Sequence, residues 1–486
     1  MPEPKRGLSA DVAPEPSTVN TNLVLVVVLL GIMLAAVDTT IVVLALPVMR
    51  SSLHTGMASL IWVIMAYLLT VTVLSTQVGR LGDLYGRVRM YNLGFLVFTI
   101  GSLLCGLSQS ATQLIAFRVV QGIGGALIAS NSGAIIADAV PAASRGRAYG
   151  ITSIGWNVGA VLGILLGGVI ITFLGWRDIF FINVPLGAVA LWIGVRTLRD
   201  RHRSGSQRLD IPGVLLLGAG LFLVLLALTE SSSSGWVTGD LMELAGGVLC
   251  LACFVVWERW VPEPVLQLGI LRQRVLAASV SASFFQGLGG FAVLFLVIMY
   301  LQGVRGLSPF DASLLLVPGY VLGGVIAPFA GRLSDRLGAR TPASIGLGLQ
   351  IVAFGIYSTL GTATPLAVVV VAALANGIGS GFFFPANNSA VMANAPQHQY
   401  GVASGLLRTF ANVGMVASFA VALLAATLAI PRAYVFAIFL GVGQLKGPLA
   451  AAFVTGMHHA LELAAVLIAV ALVLSLLRGK EARGRS

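Results

Sequence analysis

Long apolar runs separated by short charged or glycine-containing connections dominate the chain. A helix needs about 20 apolar residues to cross a hydrocarbon core. Fourteen segments meet that length, from Asn22–Leu46 at one end to His458–Leu477 at the other. Backbone amides in lipid can bond only to one another, so such runs predict helices. The expected class is an all-α integral membrane protein with 14 spans.

The connections carry a second pattern. Gly79-Arg-Leu-Gly-Asp83-Leu-Tyr-Gly86-Arg87-Val-Arg89 follows the second span, and Gly331-Arg-Leu-Ser-Asp335-Arg-Leu-Gly338-Ala-Arg340 recurs between two later spans. Gln121-Gly-Ile-Gly-Gly is answered by Asn376-Gly-Ile-Gly-Ser, and Asn157-Val-Gly159 by Asn412-Val-Gly414. Each match lies roughly 250 residues downstream, the mark of an internal duplication. Two spans, Ile211–Leu228 and Leu241–Trp257, have no counterpart and are joined by a predicted turn over Ser231–Gly235. The expected organisation is therefore a disordered cytoplasmic tail over 1–21, a six-helix bundle over 22–196, and a basic loop with two extra helices and a linker over 197–274. A second six-helix bundle covers 275–477, with a short cytoplasmic tail at 478–486. Two pseudo-symmetric halves can rock about a path between them.

Composition narrows the class. The chain has 486 residues, 57% hydrophobic and only 10% charged, with mean hydropathy +0.95. A soluble core of this size needs no such bias. The net charge of +11 sits in short loops between spans, so it reads as an orientation signal and not as a nucleic-acid surface. The 29 Lys and Arg residues concentrate in alternate connections, which places both termini in the cytoplasm. Cys105, Cys250 and Cys253 all fall inside apolar runs, which argues against a disulfide framework. The Cys250-Leu-Ala-Cys253 pair has no other ligand type beside it and reads as core packing. The five histidines show no metal-like spacing, and no cofactor is expected.

A few polar residues lie deep within the spans. Asp38 in the first is an ionisable group that needs a polar path or a partner, and it is placed to exchange a proton as the path opens to either side. Arg118 in the fourth span cannot lose its charge and is the natural partner, with Gln121 one turn away on the same face. A static helix–helix ion pair and an anchoring of Arg118 to backbone carbonyls are the alternatives. Arg408 offers either a positive cavity wall or a carbonyl anchor. Glu462, four residues after His458, shares its face near the outer end of the last span, and reads as an interfacial pair with that histidine or as a second protonation site. Gly155, Gly159, Gly163 and Gly167, with Gly168 adjoining, form a groove that lets another helix approach closely. In the basic loop, Asp83 is expected against the positive end of a helix of the other half, near Gly401, while Arg87 and Arg89 anchor the inner face. The apolar segment from Ile430 to Met457, including Tyr434 to Leu440, is expected on or in the outer leaflet.

These motifs together resemble the major facilitator superfamily, specifically its fourteen-span drug:proton antiporters. The resemblance rests on Gly79–Tyr91, Arg118-Val-Val-Gln121-Gly122, the fifth-span glycines, Asp38-Thr-Thr-Ile-Val-Val-Leu-Ala-Leu-Pro47 and Trp176-Arg177-Asp178-Ile-Phe-Phe-Ile-Asn183-Val-Pro185-Leu-Gly187. It implies a major facilitator fold and a monomeric multi-pass carrier of a bacterial cytoplasmic membrane. It also implies proton coupling through Asp38 and Arg118, gating by Gly79, Asp83, Gly86, Arg87, Arg89 and Asp335, and a small lipophilic cargo such as an antibiotic. No enzymatic chemistry is implied; the energy source is the proton gradient. Two positions depart from the pattern: Ile164 stands where the exporters carry a proline, and Val43 where the subfamily has an asparagine. The first departure keeps open a lipid or glycolipid transporter, or an uncoupled or symporting carrier, of the same fold.

Overall fold

The computed structural model describes residues 21–140, 145–200, 209–234, 236–262, 264–266, 268–395, 400–428 and 445–479. Among them every long element is a helix. The first half runs α1 (Thr21–Leu53), α2 (Met57–Tyr85), α3 (Arg87–Leu107), α4 (Ala111–Ala139) and α5 (Arg145–Phe173), then the short α6 (Asp178–Phe181) leading into α7 (Asn183–Thr197). The unmatched pair is α8 (Ile211–Ser234) and α9 (Thr238–Trp257). The second half runs α10 (Arg274–Met299), α11 (Pro309–Leu337), α12 (Arg340–Tyr357), α13 (Leu366–Asn394), α14 (Tyr400–Leu428) and α15 (Pro448–Leu476). Twelve helices among the described residues are long and apolar enough to cross a membrane, thirteen if the bent α2 is one span.

The packing repeats. In the first half α1 lies on α5, α2 on α4 and α3 on α4; in the second, α10 lies on α14, α11 on α13 and α12 on α13. The end bearing the α2–α3 turn is called here the basic end. Its turn is made by Gly86 at φ 108°, and the matching α11–α12 turn by Gly338 at φ 85°, a region L side chains rarely enter. The two basic motifs thus owe their glycines to the same backbone reversal. The halves meet along two seams, α5 with α11 and α2 with α14.

Several expectations shift. The serine stretch after Leu228 is helical, because α8 continues to Ser234. The last helix begins at Pro448, ten residues earlier than the hydropathy boundary, since a proline fits the first turn where no amide partner is needed. Residues 429–444, including the apolar Tyr434–Leu440 stretch, lie outside the described residues, as does the 1–20 tail. Cys250 is half-buried and Cys253 exposed, both unpaired, so this pair lies on the periphery of the bundle and not in its core.

The glycines of α5 explain how α1 is held. A Cβ on Gly159 would stand 2.8 Å from the Ala36 Cβ and 2.9 Å from the Met33 carbonyl oxygen; one on Gly163 would stand 2.1 Å from Thr40 Oγ1 and 2.8 Å from the Val37 carbonyl oxygen. Thr40 adds a 3.4 Å hydrogen bond to the Ala160 carbonyl. Gly167 faces Ile41, while Gly168 faces Phe310 and Ser313 of α11 in the other half. The ladder therefore seats the stretch of α1 that carries Asp38. Helix α5 is unbroken past Ile164, which is fully buried.

Overpacking such a contact costs about 1–3 kcal/mol. Gly163→Ala is accordingly expected to lower the thermal midpoint of the purified protein, whereas Gly348→Ala, where no atom lies within 4 Å of the added carbon, leaves it in place. Equal midpoints in the two variants would refute the seating role.

Candidate functional site

Asp38, Arg118 and Gln121 meet in a closed polar cluster inside the first half. Asp38 and Gln121 are fully buried and Arg118 is 1% exposed. Arg118 Nη1 donates to Asp38 Oδ2 at 2.7 Å and to Gln121 Oε1 at 2.6 Å, while Arg118 Nε donates to the Val63 carbonyl at 3.0 Å. Gln121 Nε2 donates to Asp38 Oδ1 at 2.8 Å and to Ser102 Oγ at 2.7 Å. The Tyr67 ring lies 4.4 Å from the guanidinium carbon, close enough for a cation–π contact. Ion pairing and carbonyl anchoring, set against each other in the sequence, are both present.

Asn183 was not among the residues singled out for the site. It is fully buried, and its Nδ2 lies 3.3 Å from Asp38 Oδ1. The signal was available in the Trp176–Gly187 signature, but nothing in that motif says which helix it faces. Cys105 Sγ lies 3.8 Å from Gln121 Oε1. Val43 is buried in the apolar core, so polar company for Asp38 comes from α4 and α7. Helices α4 and α7 bond the carboxylate of α1 directly, while α2 through Val63 and α3 through Ser102 join the cluster by way of Arg118 and Gln121.

At the corresponding place in the second half, α10, α12 and α13 build an uncharged network. Gln286 Nε2 donates to Gln350 Oε1 at 3.4 Å, and Gln350 Nε2 to Ser380 Oγ at 3.0 Å. This junction pairs neutral side chains where the first half pairs charges; the buried charge of the second half, Arg478 just past α15, bonds Asn387 of α13 instead. Between the halves, Gln302 Nε2, in the helical turn Tyr300–Val304 that continues α10, donates to the Leu44 carbonyl at 3.2 Å. Arg408 of α14 is exposed and donates to the Ala129 carbonyl of α4 at 3.3 Å, a carbonyl contact across the gap between halves.

Within the first half the basic loop is an ion-pair junction. Arg87 bridges Asp83 (2.7 Å) and Asp138 (2.8 Å), tying together the ends of α2, α3 and α4 within the first half. Gly82 lets α2 close on Asn131, Gly79 sits beside Ser130, and a Cβ on Gly86 would strike Asp200, whose Oδ1 accepts from the Val88 amide at 2.8 Å. Arg89 is exposed. Asp335 lies on α11 with its side chain outside the description, as do the side chains near Gly401 where Asp83 was expected to point. Glu462 is corrected outright: its partner is His459 at 3.4 Å and not His458, and the pair is more than half exposed. With α15 beginning at Pro448, Glu462 falls at the middle of the helix, on the face turned away from its neighbours. His458 instead contacts the Leu360 carbonyl at 2.7 Å.

Residues 28–419 match the Major Facilitator Superfamily. The chain belongs to that superfamily and is a multi-pass membrane transporter. It is 31% identical to the tetracenomycin C resistance and export protein of Streptomyces glaucescens over 394 residues, covering 80% of this chain and 73% of that one. It is 30% identical to the riboflavin transporter RibZ of Clostridioides difficile (strain 630) over 399 residues, covering 80% and 85%. The fold superposes on an inward-facing bacterial homologue of the human lysosomal transporter Spinster with TM-score 0.68 at 18% identity, across 95% of this chain and 98% of that one.

Removing one member of a buried ion pair strands the other and costs about 3–5 kcal/mol. Arg118→Ala and Asp38→Ala should each destabilise the purified protein by that order, and the double variant by clearly less than their sum. A double-mutant cycle in thermal unfolding reads this out; strict additivity would mean that the two side chains are not coupled.

Proposed function

We propose that the protein is a proton-driven exporter of lipophilic small molecules in a bacterial cytoplasmic membrane, with 14 spans, both termini inside, and alternating access between its halves. The carrying observation is the Asp38–Arg118 pair, buried at 2.7 Å. An arginine keeps its proton, so the exchangeable one belongs to the carboxyl. Protonation of Asp38 removes the charge that holds Nη1 and leaves Arg118 bonded to Gln121 and the Val63 carbonyl. Gln121 and Asn183, each bonded to Asp38 Oδ1, register that change on α4 and α7 at once. Such a rearrangement between two discrete bonding patterns is the kind of element on which alternating access can turn. The export direction draws on the resistance and export protein of Streptomyces; the riboflavin transporter shows that the related carriers are not confined to one cargo chemistry. A cluster that holds one carboxylate, Asp38, already paired with an arginine, favours neutral, monocationic or amphipathic cargo over dications.

Everted vesicles test this directly. A lipophilic dye should accumulate on imposing an acidic interior, cease to accumulate when the gradient is collapsed, and fail to do so in Asp38→Asn. Accumulation that survives both treatments would eliminate coupling through Asp38. Movement of labelled lipid in proteoliposomes without dye transport would replace drug export by lipid transport.

A further inference from the structure

The inserted pair α8–α9 has no counterpart in the duplication, and its position suggests why it is kept. Helix α8 packs on both α2 of the first half and α14 of the second, and Phe222 of α8 lies 5.2 Å from Trp62 of α2. The insert therefore lies across one of the two seams.

At the basic end its two attachments differ in kind. Toward the second half the contact is apolar: Leu217, Phe254 and Val265 share one buried cluster with Leu276 of α10, Val391 of α13 and Leu406 of α14. Toward α2 it is polar. The Asp210 amide donates to Gln77 Oε1 at 3.1 Å, and Asp210 Oδ1 accepts from the Gly213 amide and from Trp257 Nε1, both at 2.9 Å. Glu258, 7% exposed, accepts the amides of Val265 at 2.8 Å and Leu266 at 3.0 Å. These bonds present the neighbouring Pro264 carbonyl to Arg80 Nη2 on α2.

The place of attachment on α2 is also its weakest. Helix α2 bends by 54° between Ser75 and Gln77, where Ser130 of α4 donates to the Ser75 carbonyl at 2.6 Å. An acceptor drawn out of the helical ladder is a recognised cause of such a bend. Gln77 and Arg80 lie just beyond it.

We infer that α8, α9 and the linker after them form a strap that closes the basic end of the α2–α14 seam, and that Asp210 and Glu258 are the positioning residues that fasten it to the bent end of α2. The apolar cluster keeps the strap with the second half; the polar contacts are the ones that part when the halves separate on this side. The consequence for transport rests on the alternating-access reading, but the fastening does not.

Proton linkage sets a direction. The charged groups acting on Glu258 are Asp210 ahead of α8 and Arg80 on α2, and burial, the largest effect, raises its carboxyl from 4.5 to about 7. A fastened state that holds the proton more tightly than the released, solvated state is favoured by acid between those values. As pH rises from 4.5 toward 7 the released state, whose carboxylate is ionised in water, gains steadily on the fastened one, and above 7 the effect levels off. On the cytoplasmic side, acid brought in with the proton flow would keep this seam closed.

The test uses the full chain in nanodiscs, with Cys250 and Cys253 replaced by serine and a reporter thiol at Leu406→Cys inside the shared cluster. Maleimide labelling is measured relative to an exposed reference, Leu337→Cys, which cancels the pH dependence of thiol reactivity. Two lost hydrogen bonds predict about a tenfold faster relative labelling in Asp210→Ala. In the parent the relative rate should rise between pH 5 and 7 and level off above 7; in Glu258→Gln it should be flat across that range. Unchanged labelling in Asp210→Ala that melts like the parent, or a pH profile that persists in Glu258→Gln, would overturn the inference. Should Asp210→Ala fail to fold, Trp257→Phe removes one donor to the same carboxylate and must still speed labelling. No substrate or gradient enters the assay, so a failed export experiment and a failed strap experiment remain distinguishable.

Discussion

A carboxylate and a guanidinium cannot be left unpaired inside an apolar bundle, and the first half of this transporter is built around meeting that demand. Taking ions out of water costs several kcal/mol each even after relaxation, so the pair persists only where geometry and additional hydrogen bonds are good. Asp38 meets the condition with Arg118, Gln121 and Asn183, and Arg118 with Asp38, Gln121 and the Val63 carbonyl. Satisfying one ion pair therefore dictates the relative placement of α1, α2, α3, α4 and α7. The same arrangement that makes the charge tolerable makes its neutralisation consequential, because four other helices are bonded, directly or through one side chain, to its outcome.

Small residues make this placement possible. The α5 glycines bring a backbone against α1 on both sides of Asp38's turn, at distances a methyl group would not allow. Association of helices in lipid has little hydrophobic driving force, so close backbone approach and interhelical hydrogen bonds carry it. Gly168 extends the same groove to α11, which links the seating of the charged helix to contact between halves. The duplicated half repeats the packing while replacing the charges with Gln286, Gln350 and Ser380. Neutral amides hold a junction without offering an exchangeable proton, so the two halves are alike in mechanics and unlike in chemistry.

The insert adds a third level. At the basic end it is held to the second half by apolar burial, which is indifferent to charge, and to α2 through the Asp210 amide and the Pro264 carbonyl, which buried carboxylates hold in place. Contacts of such different character across one seam give a mechanical element with a preferred breaking point.

Hydropathy, duplication and charge asymmetry were legible along the chain because each depends on residue type at a given position: length of apolar runs gives helices, repeated motifs give repeated packing, and a lone Asp and Arg in apolar spans need each other. Partner choice between residues of the same charge or polarity was not legible in this way. Glu462 has both His458 and His459 within one turn of it, and the choice falls to His459 because the Leu360 carbonyl engages His458; that Arg87 ties Asp83 to Asp138 turns on where α4 delivers Asp138. Asn183 was visible as part of a motif but not as a ligand of Asp38, and nothing in the spacing of Asp210 and Glu258 tied them to Gln77 and Arg80. The sequence by itself determined which residues must be buried, turned or paired; only the tertiary structure decided with whom, because helices distant in the chain compete for the same few polar atoms and the close packing of their backbones settles the competition.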